Sequence, residues 1–372
     1  MLLKRLSAMA SHTPAQLKFH KAMRSHGGRL PWELLPPSSK AVPTIYKIAN
    51  DLISRARGLN PRLPEIQFDF INSNAINGIA CKWDHEYFIG ITGGAVTLLQ
   101  LVLHRVFADP KLFPDIGDPS MEEPSPPFIK SFTPDAMHLL EGDTLVCIPK
   151  DEARWTYSCR LINLAAIFLI GHEIAHISCG HVDYLCAKTG SQFLAEFGAT
   201  AAGAIEPIER QIIEAQADQY SFNSLLGGAC AQSSENTGAP TREELASLGQ
   251  LAFDYSFSAN ILFRLFGDMR FIGSDFAVES YPPIALRRSF IYGGGCDLVR
   301  KELTPDRQDT VLRALEAGMF AAEHAFSGAT GEDVAVTGLE EAFSDKGHAH
   351  FKRLVELSDR ELAEKLQPFS YC

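Results

Sequence analysis

The sequence predicts an α+β chain, mostly helical, with a small sheet next to one buried helix. Three observations predict it. Leu161 to Gly171 is a strongly apolar run of helix length with no breaker before Gly171. Short apolar and β-branched segments between residues 65 and 92 read as strands. Several long stretches further on lack interior Pro and open on a proline or a capping residue.

Taken in order, Ala15–Arg24 and Thr44–Arg57 read as helices, and Glu65–Phe70, Gly78–Trp83 and Tyr87–Thr92 as strands. The third strand is flanked by Gly93-Gly94 and is either an interior strand or a sheet edge able to pair with an extended peptide. Gly94–Phe107 is expected to be helical. The segment 108–130 is rich in proline and acids (Pro110, Pro114, Pro119, Pro124, Asp115, Glu122) and reads as a lid over a cleft or a disordered insertion. Leu145–Ile148 is a candidate strand. Arg160–Cys179 is the central helix, and Val182–Ala204 a further helix or pair. Pro207 opens a helix to Leu226, followed by a glycine-rich link over Gly227–Pro240. Thr241-Arg242-Glu243-Glu244 has capping-box spacing and opens a helix to about Phe266. Thr304-Pro305 opens another, ending near Ala325. Ser327–Thr337 reads as a loop, and Lys346–Leu366 closes the chain as helix. The expected organisation is an N-terminal helical segment (1–64), a central domain (65–290) and a C-terminal helical region (291–372).

The central helix ends in His172-Glu173-Ile174-Ala175-His176, followed by Ile177-Ser178-Cys179-Gly180-His181. Histidines four apart stack on one helix face and can share one Zn²⁺ at about 2.0–2.1 Å. Glu173, one residue round the helix, stands beside such an ion as a base for water. Without a metal, a buried His-Glu-His would be a costly set of polar groups. A hydrolytic site needs a third protein ligand and an open position. Glu214 in Glu214-Ala215-Gln216-Ala217-Asp218 is the candidate. Asp218, one turn on, can hold a ligand histidine by its second ring nitrogen. Cys179 is too far along a straight helix to share the ion, about 10 Å from residue 172, and is expected to be a buried thiol. The metzincin pattern would need Gly at 179 and His at 182, where Cys179 and Val182 stand. His181 therefore reads as structural, near the helix end.

HEIAH followed by EAQAD resembles the gluzincin metallopeptidases, in particular the HExxH…ExxxD pattern of the HtpX-like and CAAX-prenyl endopeptidase group and its soluble minigluzincin relatives. The resemblance implies a zincin-like fold and zinc-dependent peptide-bond hydrolysis. It implies His172, His176 and Glu214 as ligands, Glu173 as the base and Asp218 as support for a histidine. His181 matches a histidine that many of these proteins carry. Weaker likeness covers Ser73-Asn74-Ala75, Tyr87–Ala95 and Tyr281-Pro282-Pro283…Arg287-Arg288, in all about residues 65–290. Tyr281 stands where the family has histidine and is the candidate donor to a tetrahedral intermediate, with Arg287 or Arg288 as possible oxyanion or substrate contacts. Alternatively Tyr281 packs a turn and the arginines are surface charges. Unlike the membrane members, this chain shows no long hydrophobic span, since Leu161–Gly171 falls short of the ~20 residues a bilayer needs.

Composition agrees. The chain has 372 residues, 46% hydrophobic and 21% charged, which is ordinary for a globular protein. A net charge of −11 argues against nucleic acid and anionic membrane partners, leaving a protein or peptide substrate. Eight scattered cysteines without CxxC, and no secretory signal at the N-terminus, point to the cytoplasm. The rival readings are a non-catalytic regulatory protein that retains the fold, and a dedicated defence peptidase of the phage-exclusion type.

Overall fold

A computed structural model describes residues 12–35, 40–129, 147–195, 205–234, 240–267, 282–334 and 337–371. It is mostly helical, with one four-stranded mixed sheet. The helices are α1 (Pro14–Ala22), α2 (Ala41–Leu59), α3 (Gly93–Phe107), α4 (Glu152–Ser178), α5 (His181–Thr189), α6 (Pro207–Ser234), α7 (Arg242–Phe266), α8 (Ile284–Glu302), α9 (Pro305–Thr330), α10 (Thr337–Ala342), α11 (Asp345–Leu357) and α12 (Ala363–Leu366). A π turn over Ser358–Leu362 joins the last two.

The strands are β1 (Ile66–Ile71), β2 (Gly78–Trp83), β3 (Glu86–Thr92) and β4 (Phe193–Ala195), in the order β1-β3-β2-β4. β3 pairs parallel with β1 and antiparallel with β2, so Tyr87–Thr92 is an interior strand, not the free edge considered above. Alternation along β3 explains its place. Tyr87, Ile89 and Ile91 face the main core, while Phe88 faces a smaller cluster with Phe19 and Met23 from the α1 region. Both faces are therefore covered. β4 pairs with β2 over Ile79–Cys81. It occupies part of the segment expected as helix, of which His181–Thr189 alone is helical and residues 196–204 lie outside the described set.

α4 is the axis of the molecule and packs against α2, α3, α6, α7 and β2. Its start is set by Asp151, whose carboxylate caps the Arg154 N–H at 2.9 Å, eight residues earlier than the sequence suggests. At 27 residues it is long and apolar enough to cross a membrane, unlike the shorter run read from sequence, but 83% of its most apolar stretch is buried inside the protein. The Thr241 capping box forms as expected. Where a link was expected after Leu226, α6 continues through Gly227-Gly228 to Ser234. α9 likewise runs past Ala325 to Thr330. α8 was not anticipated at all. One apolar core runs from Leu30 to Leu366 and includes residues of all three expected segments, and the expected boundary at 290/291 falls inside α8.

The described part of the proline-rich segment, residues 108–129, is fastened rather than loose. Arg154 is fully buried and its guanidinium donates to the carbonyls of Phe107, Asp109, Leu112, Phe113 and Ile116 at 2.7–2.9 Å. Arg105 donates to the carbonyls of Pro126 and Pro127. Arg154 stands 18 residues before His172 on α4, about 27 Å away, so this stretch does not cover the motif. Residues 130–146 lie outside the described set, and with them the first half of the Leu145–Ile148 candidate strand; its second half, Cys147 and Ile148, is not in a strand.

This packing can be tested at two buried groups. Arg154→Lys keeps the charge but loses the fork that reaches five carbonyls, and should cost about 2–4 kcal/mol in urea unfolding; unchanged stability would contradict the fastening role. His104 is bonded to Ser158 Oγ at 2.9 Å, and burial lowers its pKa to about 4. The unfolded chain takes up that proton near pH 6.5, so the contribution is complete above pH 6.5 and is lost as pH falls toward 4, about 3 kcal/mol in all. His104→Gln should flatten the decline in melting temperature over that window, and an identical profile would refute it.

Candidate functional site

α4 and α6 run antiparallel where they cross. The contact is possible because residue 171 has no side chain: a Cβ on Gly171 would lie 2.4 Å from Ser221 Oγ. Ser221 Oγ donates to the Phe168 carbonyl at 2.6 Å, locking the crossing. Glu214, Asp218 and Ser221 lie on one face of α6 by their spacing. One turn forward along α4 therefore meets one turn back along α6, and Glu214 arrives opposite His172 and His176.

The donor atoms converge. His172 Nε2 and His176 Nε2 are 2.8 Å apart, and Glu214 Oε2 lies 3.4 Å from the first and 3.8 Å from the second. The three form a buried His-His-Glu group within metal-binding distance, all ligand atoms within 4.8 Å of one another. Tetrahedral ligands held at ~2.0–2.1 Å are about 3.3–3.4 Å apart, so this spacing fits one ion. The other Glu214 oxygen, Oε1, is 2.8 Å from Arg210 Nε, leaving one carboxylate oxygen toward the imidazoles.

Each imidazole is held from behind. His172 Nδ1 meets Asp218 Oδ1 at 2.9 Å. A carboxylate accepts, so Nδ1 carries the proton and Nε2 presents its lone pair. His176 Nδ1 meets His181 Nδ1 at 3.0 Å, and His181 Nε2 meets Gln216 Oε1 at 2.9 Å. Burial pushes the His176 pKa well below the usual histidine value, with the neighbouring cationic groups adding to it, and takes His181 down to about 4. The two ring nitrogens Nε2 and one buried carboxylate oxygen then lie together within metal-binding distance, an arrangement compatible with a metal ion.

Glu173 packs against the sheet. A Cβ on Gly78 of β2 would lie 2.3 Å from Glu173 Oε1, so only glycine leaves room for the carboxylate there. Burial, and secondarily this carboxylate, push the Cys81 thiol up. His172, Glu173, His176, Glu214 and Asp218 are each at most 1% exposed. The site is enclosed.

The remaining candidates fall elsewhere. Arg287 reaches not an oxyanion but Asp218, donating through Nε and Nη2 at 2.7 Å each, and lies over the rings of Phe263 and Phe266. It acts on the site through Asp218 and His172. Arg288 points away, to Glu323, Asn260 and the Met319 carbonyl at the α7–α9 contact. Both arginines are buried, so neither is a surface charge. Tyr281 lies outside the described residues. Cys179 is half-buried rather than buried and lines a cavity of about 680 Å³ behind His181 with Gln216, Gln219 and Tyr220. Sequence reasoning missed Arg210, whose only signal was its place one turn before Glu214, and Gln216, inside the motif itself.

No protein-family model, curated protein or solved structure matches this chain.

Gly171→Ala should force α4 and α6 apart and destabilise the protein by about 1–3 kcal/mol. Ser221→Gly in the same chain should relieve most of that loss. Additive losses in chemical denaturation would mean the crossing is not set at this contact.

Proposed function

We propose that this chain is a zinc-dependent endopeptidase of the gluzincin type, acting on a protein or peptide substrate. The supporting observation is the convergence of His172 Nε2, His176 Nε2 and Glu214 Oε2, each turned toward one point by a partner behind it. Three protein ligands leave a fourth position for water, whereas structural zinc is closed by four. When bound, zinc supplies Lewis acidity that acidifies water and polarises a scissile carbonyl.

The protein groups divide the remaining work. Glu173, next in sequence to His172 and held between α4 and Gly78, accepts the proton of the attacking water and passes it to the leaving amine. Asp218, clamped by Arg287, keeps the His172 proton on Nδ1. Arg210 offsets the buried charge of Glu214. Because the site residues are enclosed, reaching a peptide bond requires an opening movement. The acidic surface suits neither nucleic acid nor an anionic membrane, and a cytoplasmic location is part of the proposal.

The enclosure also favours a second reading, a non-catalytic protein that keeps the metal as a structural element. A defence peptidase of narrow range would share the site and differ in its substrate. Purified protein should hold one zinc per chain by elemental analysis, and Glu214→Ala should lose most of it. Glu173→Gln and Gly78→Ala should both retain zinc. Wild-type protein incubated with a cell lysate should generate new N-termini that Glu173→Gln does not. Zinc without new termini would favour the non-catalytic reading, and no zinc would remove both.

A further inference from the structure

Behind His176 runs a relay that the proposed hydrolysis does not by itself require. His176 Nδ1 meets His181 Nδ1 at 3.0 Å, His181 Nε2 meets Gln216 Oε1 at 2.9 Å, and Gln216 Nε2 donates to Ser358 Oγ at 2.8 Å. His181 is fully buried, just past the turn at Gly180 (φ +78°) that ends α4. Ser358 opens the π turn, 142 residues from Gln216 in the chain. We propose that Gln216 is a positioning residue that selects the tautomer of His176 through His181. This rests on the metal reading of the site given above.

A neutral imidazole has one N–H and one lone pair, so the relay must run in one of two directions. In the outward direction, His176 Nδ1–H donates to His181 Nδ1, His181 Nε2–H donates to Gln216 Oε1, and the Gln216 amide donates to Ser358 Oγ. His176 then presents its Nε2 lone pair to the ion. In the inward direction the amide is turned over. Gln216 donates to His181 Nε2, His181 Nδ1–H donates to His176 Nδ1, and the His176 proton sits on Nε2. That proton points at His172 Nε2, 2.8 Å away.

His172 cannot take part in the reversal, because Asp218 only accepts and holds its proton on Nδ1. The inward direction thus closes a complete hydrogen-bonded chain with no ion, ending on the His172 lone pair. The outward direction leaves two lone pairs and a carboxylate oxygen facing one point, satisfied by a cation. The two directions hold the same number of protons. One proton on each of His176 and His181 changes nitrogen, and no group changes charge.

What allows both is the amide at 216, which can accept or donate toward His181. The hydroxyl of Ser358 serves either way, and Gln216 borders the 680 Å³ cavity, so the amide has room to turn. A carboxylate at 216 could only accept and would hold the outward direction. An apolar side chain would hold neither. The part of the chain that first meets this relay from outside the central helices is the C-terminal π turn, which ties the last segment of the protein to the geometry of a metal ligand.

The test is Co²⁺ binding to metal-free protein, read by the visible absorption of the bound ion and by competition with a chelator. Gln216→Glu should bind Co²⁺ at least as tightly as wild type, with an unchanged spectrum. Gln216→Met should bind ~10–100-fold more weakly, with an altered spectrum, as loss of an outer support of a ligand histidine does. Gln219→Glu places the same charge in the same cavity away from the relay and should match wild type. Equal weakening by Gln216→Glu and Gln216→Met, or no change in either, overturns the tautomer role while leaving the metal site standing. Tightening by Gln219→Glu equal to that of Gln216→Glu overturns it as well, since charge alone would then account for the effect. A wild-type protein that binds no Co²⁺ overturns the metal reading itself.

Discussion

The crossing of α4 and α6 at Gly171 is the constraint on which the site depends. Two helices that approach without a side chain between them at one point must face each other closely for a turn or two on either side. On one side of that point lie His172 and His176, on the facing helix Asp218 and Glu214. Two acids, Glu214 and Asp218, are thereby buried against two guanidinium groups, Arg210 and Arg287, and a third, Glu173, is buried against the sheet. Burying carboxylates in a low-dielectric interior is costly unless opposite charge is close. The arginines meet that need for Glu214 Oε1 and for Asp218, while Glu214 Oε2 faces the two imidazoles.

The sheet contributes by leaving something out. Gly78 removes the one side chain that would displace the Glu173 carboxylate, and the antiparallel register of β2 with β3 fixes that glycine beside α4. The same strand takes β4 on its other side over Ile79–Cys81, and the site residues behind it have almost no exposed surface. Geometry and enclosure together describe a buried His-His-Glu group within metal-binding distance, walled on one side by the sheet.

Much of this was legible in the sequence because its signals are local. The HExxH spacing, the i,i+4 relation of Glu214 and Asp218, and the Thr241 capping box each depend on residues within one helical turn. What was not legible depended on partners far away in the chain. Gly293-Gly294-Gly295 costs a helix about 1 kcal/mol per glycine, yet it lies inside α8. There Gly295 lets Phe222 of α6 pack close, at 2.9 Å from where a Cβ would stand. Gly227-Gly228 also lies inside a helix, α6, rather than ending it. The proline-rich segment reads as loose because its tether, Arg154, comes 38 residues after Ile116. Arg287 and Arg288 are adjacent and identical in type, and only the structure shows that one clamps Asp218 and the other pairs with Glu323.

The central claim is that one divalent ion sits among two imidazoles and one carboxylate with a position open. The most direct test is anomalous diffraction at the zinc edge from zinc-loaded crystals. The account predicts a single peak at ~2.0–2.2 Å from His172 Nε2, His176 Nε2 and Glu214 Oε2, with no fourth protein ligand. A peak elsewhere, no peak, or a tetrahedron closed by a fourth side chain would contradict it.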